Sequence, residues 1–530
     1  MIPAIAPAEL KARLGDGGEI ALLDVREEGG FSTRHLLLAS CVPLSRLELL
    51  IDDLVPRRGT PIVLCDAGEG LAGQAAERLA GFGYGDIAVL AGGLDGWAAA
   101  GLPLFSGVNV PSKAFGEVVE TACHTPHISA SELHRRMAAG EKLVVLDSRP
   151  IEEFRAMSIP GATDMPGAEL AYRVHDVAPS PDTLVVVNCA GRTRSIIGAQ
   201  SLINAGIANK VVALKDGTMG WSLAGLTLDH GKDRSAPPPS PAGLDKARAA
   251  AARVAARFDV RKIDATTLAL WRQEALRRTT YLFDVRTLEE YLAGHLDGAV
   301  HAPGGQLVQA TDKYAATRNA RIVLADDTEV RAVMTASWLL QMGWRDVHVL
   351  AGGIAGLPLV AGAHRPRVLG LEAAPAEGIK PAALQAMLVR NEAVVVDVEL
   401  SARHMRGHVP GAWFAVRARL KRALSRLPPA LPLVLTSADG RLARLAAADL
   451  PGGDRRILAL EGGTEAWAAA GLPLEPGLAR LADDVDDVWR SPYADAEPAK
   501  REAAMRAYLS WEVDLVEQVA RDGSLNFHVG

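Results

Sequence analysis

Cys189 is the residue around which chemistry can be built. The stretch 183–201 reads TLVVVNCAGRTRSIIGAQS. Its valine-rich run at 184–187 predicts a strand, because β-branched residues suit the pleated surface. Ser195 opens an apolar-periodic segment that predicts a helix over 196–205. Cys189 therefore stands where a strand turns into a helix. There the N–H groups of a tight loop and the positive end of the helix dipole favour a thiolate. Arg192 and Arg194 add positive charge within five residues. This setting predicts a depressed pKa and a nucleophile. Gly191 is expected to supply a backbone angle that other residues resist.

The elements that must position this loop follow from the whole chain. At 530 residues it is too long for one core and should hold about three to five domains. Apolar content of 49% and charged content of 23% are those of globular protein. The net charge of −6 argues against a nucleic-acid partner. No apolar run is long enough for a bilayer, so no membrane partner is expected. The N-terminus lacks a cationic start before a long apolar core, so no signal peptide is expected. Four cysteines are too few for a disulfide framework, which predicts a reduced, cytoplasmic protein.

Internal repetition sets the architecture. Four apolar strands end in IALLDVR, LVVLDSR, YLFDVR and AVVVDVE, closing at Arg26, Arg149, Arg286 and Glu399. Turns follow, among them SIPGA at 158–162, GHLDGA at 294–299 and GHVPGA at 407–412. A second strand, a helix and a third strand come next. The third strand ends in AGG, KDG, AGG or EGG, at 91–93, 215–217, 351–353 and 461–463. The string WAAAGLPL recurs at 97–104 and 467–474. Such alternation predicts an α/β fold with a mainly parallel sheet, flanked by helices, in each unit.

The pattern resembles the rhodanese domain. The motifs that carry the resemblance are the D-x-R strand end, the GHIPGA-like turn, the cysteine loop and the GGxxGW segment, complete at residues 92–97. They recur in order from residue 1 to about residue 477. The implied architecture is a set of tandem rhodanese-like domains.

Comparing the copies shows which is armed. Asp147 lies 42 residues before Cys189; the same step from Asp24 reaches Asp66, and from Asp284 it reaches Asp326. In the fourth copy Ser437 is the best match. Only the second copy puts a thiol at the nucleophile position. Cys65 is one residue out of register and is expected to be a buried small hydrophobe, since one step along a strand changes the face. The other loops, DAGEGL, DDTEVR and SADGRL, lose arginines or gain carboxylates. Ser437 would need an activating base, and no histidine has a defensible position. Copies one, three and four are expected to be inactive, as in tandem rhodaneses that carry Asp for Cys.

The loop C-A-G-R-T-R has six residues, the length typical of sulfurtransferases in this family; related phosphatases and arsenate reductases have seven. The resemblance therefore implies that Cys189 takes the outer sulfur of thiosulfate as a persulfide and passes it to cyanide or a thiol. Arg192 and Arg194 would stabilise the donor and leaving-group charge, and Ala190, Gly191, Arg192, Thr193 and Ser195 would cradle the substrate. Asp147 and Arg149 are implied to be structural, the Asp accepting loop N–H bonds and the Arg pairing with an acid such as Glu153. No metal, nucleotide or flavin is called for. The expected partners are a small sulfur-donor anion and a thiol or protein acceptor. 3-Mercaptopyruvate is the alternative donor. A persulfide carrier or scaffold is the non-enzymatic alternative, and a phosphatase or arsenate reductase the least favoured.

Cys123, with His124 and His127, offers too few ligands for a metal site. It is conceivable as a thiol that resolves the Cys189 persulfide. Cys41, Trp97 and Trp221 are expected to be packing residues. The expected spans are 1–105 for the first repeat, 124–230 for the catalytic one, 233–258 for a proline-rich linker and an alanine-rich helix over 246–258, 259–362 and 375–477 for the third and fourth, and 478–530 for a helical tail. The linker suggests two pairs of repeats. The tail, with helical periodicity over 499–520, is expected to dock on the body.

Overall fold

The computed structural model describes residues 2–450 and 455–530. Residues 1 and 451–454 of the expected spans lie outside the described residues. Each repeat builds a parallel sheet around a valine- and leucine-rich strand that ends in aspartate. In the second repeat the order is His127–Ile128, Val211–Leu214, Leu184–Asn188, Leu143–Asp147 and Thr163–Asp164. All four pairings are parallel. The third and fourth repeats use the same order. Their central strands, Arg321–Ala325 and Leu433–Thr436, are buried throughout or nearly so. Such burial on both faces explains the continuous apolar runs in the sequence.

The repeats do not associate as two sequential pairs. One continuous apolar core contains Val185 and Val187 of the second repeat together with Ile322 and Leu324 of the third. The linker helix, Pro241–Arg257, lies in that core through Ala247, Ala250, Ala251 and Val254. It begins five residues before the expected start, with Ser240 as its cap accepting from the Gly243 N–H. The linker ahead of it is not a free spacer: Asp164 N–H of the edge strand donates to Arg234 O, and Ala236 N–H donates to Asp164 O.

The first repeat joins the third and the fourth. Strand Thr317–Arg318 of the third pairs antiparallel with Ile20–Asp24 of the first. Arg417 of the fourth donates to both oxygens of Glu48 at 2.6 and 3.0 Å. Apolar packing thus joins the second repeat to the third, while a buried ion pair joins the fourth to the first.

The tail touches all four repeats. Its first part is extended rather than helical: Ala482 N–H donates to Phe414 O, and Gly29 N–H to Asp486 O. A helix then runs over Pro498–Asp522, slightly longer than expected. Leu515 and Val519 of this helix enter the core of the first repeat. Beyond it, His528 N–H donates to Gln341 O of the third repeat.

Candidate active site

Strand Leu184–Asn188 is central in its sheet, so Cys189 emerges at the carboxyl end of a parallel sheet, where such folds place their ligands. The helix after it begins at Thr193, two residues before the expected start, and places Arg194 in its first turn. The segment after the neighbouring strand supports the loop: Thr218 N–H donates to Cys189 O at 2.9 Å and Met219 N–H to Ala190 O at 3.0 Å. A Cβ on Gly217 would fall 2.3 Å from Cys189 O, which explains glycine there.

The same loop position in the other repeats reveals what the loop is built to hold. Asp326 accepts from the N–H groups of Thr328, Glu329, Arg331 and Ala332 at 2.5–3.3 Å. Asp66 accepts from Gly68 and Ala72, and Ser437 Oγ from Ala443. In these copies a side-chain oxygen fills an anion cradle from within. In the second repeat a sulfur stands there instead.

Cys189 is 2% exposed. Burial pushes its thiol above the ordinary value, and Glu512 pushes the same way; Arg194 and Ser195 pull it down without prevailing. The expected depressed pKa is thus not found in this closed site. Burial outweighs the nearby cation, whose charge is itself shared with Glu153.

The two arginines differ. Arg194 forms a fork with Glu153, at 2.7 and 2.8 Å. Burial alone would push Glu153 up, but Arg194 holds it below the ordinary carboxylate value. Arg192 is held by carboxylates. Its guanidinium donates to Glu117 at 2.7 and 2.7 Å, to Asp216 at 3.1 Å and to Glu120. Three carboxylates balance one cation, so its role here is to pin helix Val110–Cys123 to the loop.

Asp147 and Arg149 pair with each other rather than with the loop or with Glu153. Arg149 Nε and Nη2 donate to the two oxygens of Asp147, both at 2.8 Å, the Arg149 N–H donates at 3.2 Å, and Asn188 Nδ2 adds a fourth bond at 2.7 Å. Arg149 also donates to Met157 O, which clamps the turn. The pair recurs as Asp24–Arg26 and Asp284–Arg286. In the fourth repeat, where Glu399 replaces the arginine, His404 Nδ1 lies 2.9 Å from Asp397 instead.

Gly191 has no positive φ. Its need is for space, since a Cβ would sit 3.0 Å from Glu512 Oε2 and 3.3 Å from Tyr508 Cε1. These tail residues, with Lys113 and Tyr493, border the site and were missed from the sequence. Thr193 Oγ1 donates to Glu512 Oε1 at 3.3 Å, and the hydroxyls of Tyr493 and Thr218 lie 2.8 Å apart. No spacing rule links them to Cys189. Cys65 is fully buried, and burial pushes its thiol well up. Cys41 and Cys123 are half-buried. Cys123 ends its helix, and neighbouring His127 faces Glu120 at 3.4 Å. Trp97 and Trp221 are buried and donate to Pro103 O and Thr227 O, each at 2.9 Å.

The profile of the Rhodanese-like domain matches residues 6–100, 129–224, 268–357 and 380–470, which together exceed half the chain. The chain belongs to the rhodanese family. The crystal structure of a thiosulfate sulfurtransferase from Pseudomonas aeruginosa is similar over 100% of both chains, with 48% identity and a TM-score of 0.95. An HTH-type transcriptional regulator of Mycobacterium tuberculosis is 38% identical over 104 residues, 20% of this chain and 45% of that protein. A putative sulfur carrier protein of Bacillus subtilis is 27% identical over 103 residues, 19% of this chain and 54% of that one. This rhodanese spans about half the length of those two curated relatives. It is an α/β protein of tandem rhodanese-like units. Among the described residues no helix is long and apolar enough to cross a membrane.

Proposed function

We propose that this rhodanese is a sulfurtransferase that takes sulfane sulfur from thiosulfate onto Cys189 and passes it to a thiophilic acceptor. The observation that carries the reading is the cradle. Three copies of the loop are filled by Asp66, Asp326 or Ser437. In the second Cys189 stands at that position, with the Ser195 N–H and hydroxyl beside its sulfur. The full-length likeness to a thiosulfate sulfurtransferase supports the enzyme class and the donor.

In the first half-reaction the Cys189 thiolate attacks the outer sulfur of thiosulfate. The new S–S bond forms as the donor S–S bond breaks, and sulfite leaves with the bonding pair. The loop N–H groups from Ala190 to Ser195 hold the persulfide, and Arg194 steadies the sulfonate charge. In the second half-reaction an acceptor such as cyanide or a thiolate attacks the outer sulfur and regenerates the Cys189 thiolate. Four unpaired cysteines suit a reducing, cytoplasmic setting.

The burial of Cys189 favours one second reading, a persulfide carrier with slow turnover. The test is intact mass after incubation with thiosulfate, then peptide mapping. A gain of one sulfur on the Cys189 peptide, absent in Cys189→Ser, is expected. No gain with thiosulfate but one with 3-mercaptopyruvate reassigns the donor; no gain with either overturns the reading. Persulfide formation with little thiocyanate production favours the carrier.

A further inference from the structure

The catalytic loop is covered by a segment more than 300 residues away in sequence. Glu512, from the tail helix Pro498–Asp522, is 1% exposed. Its Oε1 accepts from Lys113 Nζ at 2.8 Å, from Tyr508 OH at 3.1 Å and from Thr193 Oγ1 at 3.3 Å. Its Oε2 is buried and has no hydrogen-bond partner. That oxygen points at the loop, only 3.0 Å from where a Cβ of Gly191 would stand. A carboxylate oxygen left without a donor in a closed site costs free energy, so its neighbourhood is built for something besides stability.

The surrounding charges say what. Lys113 is buried beneath the rings of Tyr508 and Trp511, with Glu512 as its counter-ion. Arg194 is balanced by Glu153, and Arg192 by Glu117, Glu120 and Asp216. Glu512 is therefore the negative charge that a second anion entering the loop must confront, and Lys113 the cation it could take over.

We infer that Glu512 is an internal competitor for the anion position of the Cys189 loop, and that the Lys113–Glu512 pair sets the charge of the molecules the cysteine accepts. An anionic donor binds by drawing Lys113 away from Glu512. A neutral reagent meets no such barrier. Glu512 acts through charge on the loop and on Lys113, so it is a positioning residue. The inference deepens the sulfurtransferase reading by naming what selects the donor, and its test does not depend on that activity.

The full-length protein is alkylated with iodoacetamide, which is neutral, and with iodoacetate, an anion of similar size. The ratio of the two rates at Cys189, followed by peptide mass, reports charge and cancels access. Glu512→Gln is expected to raise the iodoacetate-to-iodoacetamide ratio at least fivefold, and Glu512→Asp to leave it within twofold of the parent. In thiosulfate turnover Glu512→Gln should lower KM more than it changes kcat. An unchanged ratio in Glu512→Gln overturns the inference. So does an equal rise in Glu512→Asp, which would make the cause loosened packing of the tail. A shifted ratio in a protein that forms no persulfide leaves this inference standing and defeats the sulfurtransferase reading alone.

Discussion

Arg194 and Glu153 meet fork to fork, Nη1 to Oε1 at 2.7 Å and Nη2 to Oε2 at 2.8 Å. The cation nearest in chemistry to Cys189 is thus half-spent on a carboxylate. Glu153→Gln is expected to leave the arginine in place but un-neutralised. The pH midpoint for iodoacetamide alkylation of Cys189 should then fall, because more positive charge favours the thiolate. A midpoint that stays put would show that burial alone governs the sulfur.

The two loop arginines should separate in kinetics. Arg194→Ala is expected to lower kcat/KM for thiosulfate about 100-fold or more, the usual scale for losing a transition-state charge contact. Arg192→Ala should change KM less than about threefold, yet destabilise the fold by about 3–5 kcal/mol, because Glu117 loses its buried counter-ion. Thermal melts beside steady-state assays read both. A large KM effect in Arg192→Ala with an unchanged melt would return that residue to the donor site.

Asp326 is held by four backbone N–H groups. Asp326→Ala should destabilise the protein by about 1–3 kcal/mol by orphaning buried donors, read as an earlier urea midpoint. Persulfide formation on Cys189 should survive while the protein is folded.

Burial, and then the charge of Asp147, push Asp164 up to about 7. One of its oxygens is buried without a partner. An unfolded aspartate titrates near 4, so between about pH 4 and 7 the folded chain binds the extra proton. Its contribution to stability is complete below about pH 4 and is lost as pH rises through about 7. Asp164→Asn should flatten that part of the stability-versus-pH curve. An identical slope in the variant would assign it to other groups.

What the sequence disclosed was local. The register of Cys189 against Asp66, Asp326 and Ser437 was legible because repeats fix position by counting. The strand before it and the helix after it were legible from period and β-branching. Charge balance was not. Arg192 looks like a free cation beside a cysteine until Glu117, 75 residues earlier, is folded onto it. Glu512 is 319 residues from Thr193, and no spacing within a motif reports such a neighbour. The same reason hid the pairing of second with third repeat, which depends on which helix faces meet. The thiol of Cys189 is pushed the other way from its motif by burial, with Glu512 of the tail adding to it, and the sequence does not say which loop the tail covers.

The strand that the third repeat lends to the first has a consequence for synthesis. Residues 20–21 leave the ribosome long before Thr317 and Arg318, which will pair with them. At a synthesis rate of roughly 5–20 residues per second the delay is on the order of tens of seconds. During that interval the nascent first unit exposes part of a sheet edge, the kind of surface that recruits a wrong strand. A newly made chain therefore passes through a vulnerable window that ends only when its second half arrives, and a gene cut at the proline-rich linker would make that window permanent.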